Sequence, residues 1–518
     1  MKFDMTEFDS LLTGPEAIGA MAHAPWRMPR ETAVESTPSE VPAVNRLYAK
    51  IFANASITSP ASELDRARTS SSAPVKMPRV APPRNPTTLA DTGLRLPLLS
   101  ELAMKFVYLQ GTATGRSIAQ SMRLPFSIVD VALRALIDQK CVEVTSGDPV
   151  GRVSYRFTLT ELGRTRSREI FNDCRYVGPA PVPIQDYIQQ CRQQPVTGIP
   201  CTRNALQEAF TGFVIQPCLL SELGPAVCSG KSLFLYGPPG NGKTTTAKRL
   251  GHFLNRFGGE IYVPYAIQIE NSIVTIFDPG IHQTTDDAVL AQRGISSAAE
   301  SSPSPAPSEV VHGEPFDIRW RRIKRPVVVT GGELTLDMLD LQYNKVSNFY
   351  SAPVHIKANG GVFLIDDFGR QLVSPKELLN RWTVPLEERI DYLKLATGTK
   401  LMLPFEQLTI FSTNLDPRDL VDDAFLRRIK HKVLIDTPNR ALYTTIFQLV
   451  CQQRQLPYEQ SLVDLLYSHY YDKGRRPRSS DPRDLIEIAI SICSYHEQPL
   501  ALSSDLMLES AGRFFAIL

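Results

Sequence analysis

The chain has 518 residues, a formal net charge of +2 and 43% hydrophobic residues. That length exceeds one ordinary domain and predicts two or three, each with a sizeable core, while the near-neutral charge excludes a composition-level signal for a polyanion partner. The 8 cysteines include no CxxC pair, which excludes a recognisable zinc site or disulfide framework, so reduced and mostly buried thiols are expected.

Residues 1–9 lack the basic-then-apolar pattern of a signal peptide, and no apolar run approaches the roughly 20 residues of a membrane span, so a cytoplasmic chain without membrane insertion is expected. Residues 1–90 are rich in Pro, Ser, Thr and Ala and read as a disordered tail, with one island of helical spacing at 44–52. From 95 to 176 the pattern turns compact. A helix at 98–109 precedes two helical segments around a Leu-Pro-Phe turn, the second starting at Ser127. Two alternating segments around Ser146-Gly-Asp-Pro then read as a strand pair. This stretch resembles bacterial winged-helix domains. The resemblance implies DNA recognition through the helix from Ser127, backed by Arg134, Arg152, Arg156, Arg164, Arg166 and Arg168, or equally a protein-docking module. Residues 177–200 read as a linker, 201–435 as an α/β core with a flexible insertion at 288–314, and 436–518 as a helical region.

Within the core, Leu233-Phe-Leu-Tyr236 reads as a buried strand. Gly237, Pro238, Pro239, Gly240, Asn241, Gly242, Lys243, Thr244 and Thr245 follow it and run into a helical pattern. Strand, glycine-rich loop and helix in that order form a phosphate cradle: successive N–H groups point inward at phosphate oxygens, and the helix N-terminus adds its dipole. In this pattern Lys243 reaches the β and γ phosphates and Thr244 places its hydroxyl on Mg²⁺. A second apolar strand ends in Ile365-Asp366-Asp367. Asp366 is the candidate to hold Mg²⁺ through water and Asp367 the candidate to polarise an attacking water.

With these motifs the chain resembles an AAA+ ATPase over about residues 205–515. The resemblance implies a parallel sheet flanked by helices, a C-terminal helical lid, and ATP with Mg²⁺ as cofactors. Leu408-Thr-Ile-Phe-Ser-Thr-Asn414 resembles the sensor-one strand, with Asn414 at the γ-phosphate. Asp423-Ala-Phe-Leu-Arg-Arg-Ile429 resembles the arginine-finger segment, with Arg427 and Arg428 both candidates. Asp481-Pro-Arg-Asp-Leu485 resembles sensor two, with Arg483 as the γ-phosphate contact and Arg475, Arg476 and Arg478 as rivals. Asp367 stands where many members carry Glu, although some relatives also read Ile-Asp-Asp. Two alternating segments between 388 and 404, joined by Ala-Thr-Gly-Thr, predict a β-hairpin and resemble the presensor-hairpin branch, which holds MoxR-like and magnesium-chelatase-like members.

The basic stretch Asp317-Ile-Arg-Trp-Arg-Arg-Ile-Lys-Arg325 is expected to be a solvated strand end or a subunit contact rather than a track for a phosphate backbone. The leading expectation for the whole is an ATPase that remodels a protein partner as a homo-oligomeric ring, expected to be a hexamer, with the winged helix as adaptor. The alternatives are a DNA-binding regulator or loader that uses ATP as a switch, and a non-hydrolysing nucleotide-gated scaffold.

Overall fold

Residues 80–146, 151–285, 316–420 and 422–515 are described by the computed structural model of the chain. The segment 44–52, the insertion 288–314, the turn after Ser146 and the expected tail up to residue 79 lie outside them. Residues 80–90, expected to belong to that tail, lie instead against the body. Asp317 N–H donates to Pro83 O at 3.1 Å, Gln190 Nε2 donates to Ala81 O at 3.1 Å, and Val80 packs on a core cluster. A proline-rich extended segment keeps carbonyls that a neighbouring surface can satisfy, so its composition does not preclude docking.

The first unit runs α1 (Leu96–Gln110), β1 (Thr112–Thr114), α2 (Gly115–Met122), α3 (Phe126–Asp138), β2 (Val142–Ser146), β3 (Arg156–Leu159) and α4 (Glu161–Asp173). Thr114 and Thr160 cap α2 and α4, each hydroxyl accepting from the backbone N–H three residues on. The strands form an antiparallel sheet in the order β1-β3-β2, and Leu99, Leu102, Ile118, Ile128 and Leu133 close the core beneath it. The exposed positions of α3 are Ser127, Val131, Arg134 and Asp138. Asp130 is buried and pairs with Arg134 at 2.6 Å and Arg152 at 2.8 Å.

The expected linker at 177–200 is folded. It contains β4 (Val182–Pro183) and α5 (Ile184–Gln193), with Tyr187 and Cys191 buried. Ile184, Tyr187, Ile188 and Cys191 carry helical spacing that the flanking prolines mask. The core proper begins with α6 (Arg203–Ala209), α7 (Pro217–Ser229), β5 (Ser232–Tyr236) and α8 (Lys243–Phe257). An excursion follows: β6 (Ile261–Pro264), β7 (Ala266–Ile269), β8 (Ser272–Thr275) and β9 (Trp320–Ile323). The chain returns through β10 (Val327–Thr330), β11 (Gln342–Asn344), β12 (Phe349–Ser351), β13 (Val362–Ile365) and α9 (Pro375–Glu388). The hairpin β14 (Ile390–Lys394) and β15 (Lys400–Pro404), β16 (Leu408–Thr413) and β17 (His431–Leu434) complete the strands.

Five of these strands form one parallel sheet in the order β10-β13-β16-β5-β17. The architecture is α/β. Leu223, Val227, Leu250 and Leu254 of α7 and α8 cover one face. Trp382 of α9, with Phe363, Phe368, Phe405 and Phe411, covers the other, and ring centroids along this cluster lie 5.2 to 6.2 Å apart. Each such side chain contributes about 1.5–3 kcal/mol on burial, and together they fix the ends of β13 and β16, where the paired acids and Asn414 sit.

A second sheet, β11-β12-β8-β7-β4, carries α5 and meets the first unit. Arg95 donates to Asn271 Oδ1 at 2.7 Å and Arg175 N–H to Ser347 O at 2.8 Å. The basic stretch departs from expectation here. Its strand β9 pairs with β6, and Arg319 and Arg325 are each only 2% exposed. Arg319 pairs with Asp317 at 2.8 Å, and Arg325 donates to the carbonyls of Gly258, Gln194 and Gly360. Burial pulls the Arg325 guanidinium down to about 10. These arginines replace backbone partners inside the protein, which a charge run read without its neighbours cannot reveal.

The expected hairpin is present as β14 and β15, in register from Ile390↔Pro404 to Lys394↔Lys400. Its base is tied to the core by Asp391, fully buried, which receives His355 Nε2 at 2.7 Å and Arg381 at 2.5 Å. The C-terminal region is helical: α10 (Arg440–Gln453), α11 (Gln460–Leu466), α12 (Asp481–Tyr495) and α13 (Ser504–Phe514). No helix among the described residues is long and apolar enough to cross a membrane. Of the cysteines, all free, Cys141, Cys191, Cys451 and Cys493 are buried, while Cys218 and Cys228 are exposed.

Candidate nucleotide site

The loop between β5 and α8 is shaped by glycine. Gly237 has φ +135°, and a Cβ there would run into the Ile435 carbonyl. Gly242, with φ +84°, is the N-cap of α8 and has no side chain to occupy the helix's first N–H groups. Pro238, Pro239, Gly240 and Asn241 complete the turn, and Lys243, Thr244 and Thr245 open the helix.

Three groups distant in sequence converge on this loop. Lys243, 6% exposed, donates from Nζ to Gly237 O at 2.8 Å, Pro238 O at 2.9 Å and Asn414 Oδ1 at 2.7 Å. Burial lowers its ammonium pKa, against the pull of Asp367 and Asp366. Thr244 Oγ1 lies 2.9 and 2.8 Å from the two oxygens of Asp366. Asn414 Nδ2 donates to Asp367 Oδ1 at 3.0 Å. Asp367 itself takes a left-handed backbone, φ +49°, and Gln371 Nε2 braces the turn by donating to the carbonyls of Asp366 at 3.0 Å and Asp367 at 3.2 Å.

A cavity of about 410 Å³ spans these residues, lined among others by Gly240, Lys243, Thr244, Asp366, Asp367 and Asn414. A second cavity of about 310 Å³ has apolar walls from Val214, Ile215, Leu219, Leu434, Ile446 and Leu449. Phe213, Thr245, Ser479, Ser480 and Arg483 line both. The pair offers a polar end for phosphates and an apolar slot for a planar ring. Motif reading missed Phe213 and the apolar slot, because their residues come from a loop, two helices and a strand with no fixed spacing to the glycine-rich loop.

Arg483 lines both cavities and is held by Asp484 at 2.9 Å. Among its rivals, Arg475 lies over the Phe515 ring at 4.0 Å, and Arg478 packs its side chain on Gly240. Arg427 and Arg428 line neither cavity. Arg428 pairs with Glu387 at 2.7 Å, whereas Arg427 is exposed at the end of a single helical turn, Asp423–Leu426.

The donors present fit Mg²⁺. A hydroxyl and a carboxylate in contact are hard oxygen ligands, and this ion takes few protein ligands because substrate phosphates and water complete its shell. No group of three or more His, Cys, Asp or Glu among the described residues is arranged for a metal.

A family model described as Domain of unknown function (DUF8689) matches residues 439–512, which cover α10 to α12 and most of α13. Over 91 residues the chain is 34% identical to the Vesicle-fusing ATPase of Dictyostelium discoideum, a match spanning 18% of this chain and 12% of that protein. Among solved structures it is similar to domain III of the Thermotoga maritima replication initiation protein DnaA, at 12% identity and TM-score 0.32, covering 61% of this chain and 100% of that one. The Thermotoga maritima RuvB Holliday junction branch migration motor matches at 12% identity and TM-score 0.29, over 64% of this chain and 71% of that one. NtrX from Brucella abortus matches at 12% identity and TM-score 0.32, over 62% and 56%.

Proposed function

We propose that the chain is an AAA+ ATPase that binds ATP with Mg²⁺ between the phosphate loop and the C-terminal helices and hydrolyses it. The observation that carries this reading is the double convergence at the loop: Thr244 on Asp366, and Lys243 on Asn414 on Asp367. Lys243 exchanges its carbonyl partners for β and γ phosphate oxygens. Thr244 and Asp366 would hold Mg²⁺, which would supply positive charge to the phosphates. Asp367 accepts a hydrogen bond from the attacking water and takes up its proton, and Asn414 fixes the carboxylate that does so. Arg483 meets the γ-phosphate from the lid side.

The arrangement supports an oligomer, expected to be a hexameric ring, because Arg427 and Arg428 do not line their own chain's cavities. A cation for the developing charge is then supplied by a neighbour. Energy release is coupled to remodelling a protein partner, with the first unit as a winged-helix adaptor and β14–β15 as a presensor hairpin. The DNA-binding alternative has less support, since Asp130 engages both Arg134 and Arg152 and Asp138 adds a negative charge to the exposed face of α3 beside Ser127 and Val131. Mg²⁺-dependent phosphate release by the purified chain, abolished by chelation, tests the ATPase reading. Tight duplex binding with a steep salt dependence would favour the alternative.

A further inference from the structure

The segment 478–480 closes on the phosphate loop from the C-terminal side. Ser480 N–H donates to Gly240 O at 2.9 Å, and Ser479 N–H donates to Asn241 Oδ1 at 3.0 Å. Behind it runs a buried chain of side chains. Asp481, 1% exposed, accepts on Oδ2 from Arg478 N–H at 2.9 Å and from the Tyr471 hydroxyl at 2.9 Å. The Tyr471 oxygen lies 3.0 Å from that of Tyr443, which is fully buried. Tyr471 ends a π-helical turn, Tyr467–Tyr471, in which Asp472 N–H reaches back to Tyr467 O. Turns of this kind recur at functional sites.

A carboxylate in an apolar core is costly and is matched or bettered by apolar packing when stability alone is at stake. Asp481 keeps Oδ1 without a hydrogen-bond partner, and burial pushes its carboxyl up. Its placement has a use: it opens α12, whose third residue, Arg483, lines both cavities.

We infer that Asp481, backed by Tyr471 and Tyr443, is a positioning unit that latches residues 478–480 onto Gly240 and Asn241 and so sets the phosphate loop and Arg483 relative to each other. This rests on the nucleotide reading above. None of the three lines either cavity; they act through the 478–480 backbone.

The test uses the full chain, a fluorescent ATP analogue for affinity and phosphate release for turnover, below the melting temperature of every variant. Tyr471→Phe and Asp481→Ala should each lower turnover or affinity about three- to tenfold, the scale of one net hydrogen bond. Asp481→Asn should stay near wild type, because its amide oxygen still accepts both bonds. On an Asn241→Ala background, where the latch is already weakened, Tyr471→Phe should cost little more, since residues acting through one contact are not additive. Wild-type values in folded Tyr471→Phe, or costs that add in full to those of Asn241→Ala, would overturn the inference. Should Asp481→Ala fail to fold, the Tyr471→Phe cycle decides. If the wild-type chain binds no analogue, the nucleotide reading fails and this inference with it; if it binds while the variants match it, this inference alone is wrong.

Discussion

Asn414 donates its amide to Asp367 Oδ1 at 3.0 Å while its own oxygen accepts from Lys243 at 2.7 Å, so one side chain joins the ammonium of the glycine-rich loop to the second of the paired acids. Asn414→Ala should reduce turnover about a hundredfold, as the loss of one preorganised polar group does, and change affinity far less. Asn414→Asp, which sets a second carboxylate against Asp367, should be no more active. Steady-state phosphate release alongside analogue binding checks both; wild-type turnover in Asn414→Ala would remove this residue from the mechanism.

In the proposed site Lys243 supplies the charge toward the phosphates. Lys243→Ala should remain folded by circular dichroism and lose detectable affinity for a fluorescent ATP analogue. Unchanged binding would refute the phosphate-loop assignment.

The order of strand, glycine-rich loop and helix was legible because its signal is local: the three are contiguous, and α8 begins at Lys243. The paired acids were legible through a second local pattern, although Thr244 and Asp366 stand 122 residues apart. What could not be read was whatever depends on a neighbour with no fixed spacing. Arg325 reads as surface charge until the carbonyls of Gly258 and Gly360 surround it. The helix at 184–193 was hidden by its flanking prolines, and the closure of Ser479 on Asn241 joins positions far apart in the chain.

Arg427 and Arg428 differ in what they touch, and this separates their variants. Arg428→Ala loses the contact with Glu387 and should lower Tm as well as turnover. Arg427→Ala should lower turnover at unchanged Tm. Mixing Arg427→Ala with Lys243→Ala chains should restore part of the activity, because the second chain lends its arginine to the first chain's intact pocket. No recovery at any mixing ratio, with mixed oligomers demonstrated, would count against action in trans.

The hairpin's anchor predicts a pH dependence. Burial pushes the Asp391 carboxyl up, and the hydrogen bonds and charges of His355 and Arg381 outweigh it and hold the pKa below its ordinary value. A depressed carboxylate pKa contributes stability above the unfolded value of about 3.9 and loses it as pH falls through the folded one. Asp391→Ala should therefore cost about 3–5 kcal/mol near pH 7, as breaking a buried pair does, and less below about pH 4. Denaturant titrations of both chains at neutral and acid pH check this, and a cost independent of pH would contradict it.

The proposed hydrolysis runs through the carboxylate that Asn414 holds. The most direct measurement compares bound nucleotide and phosphate release for the wild-type chain and Asp367→Asn in the presence of Mg²⁺. Both should retain ATP with similar affinity, and the variant should release phosphate at least about a hundredfold more slowly, since a group positioning the water acts as the transition state forms. Equal rates in the two chains, or a wild-type chain that binds ATP and releases no phosphate, would contradict it.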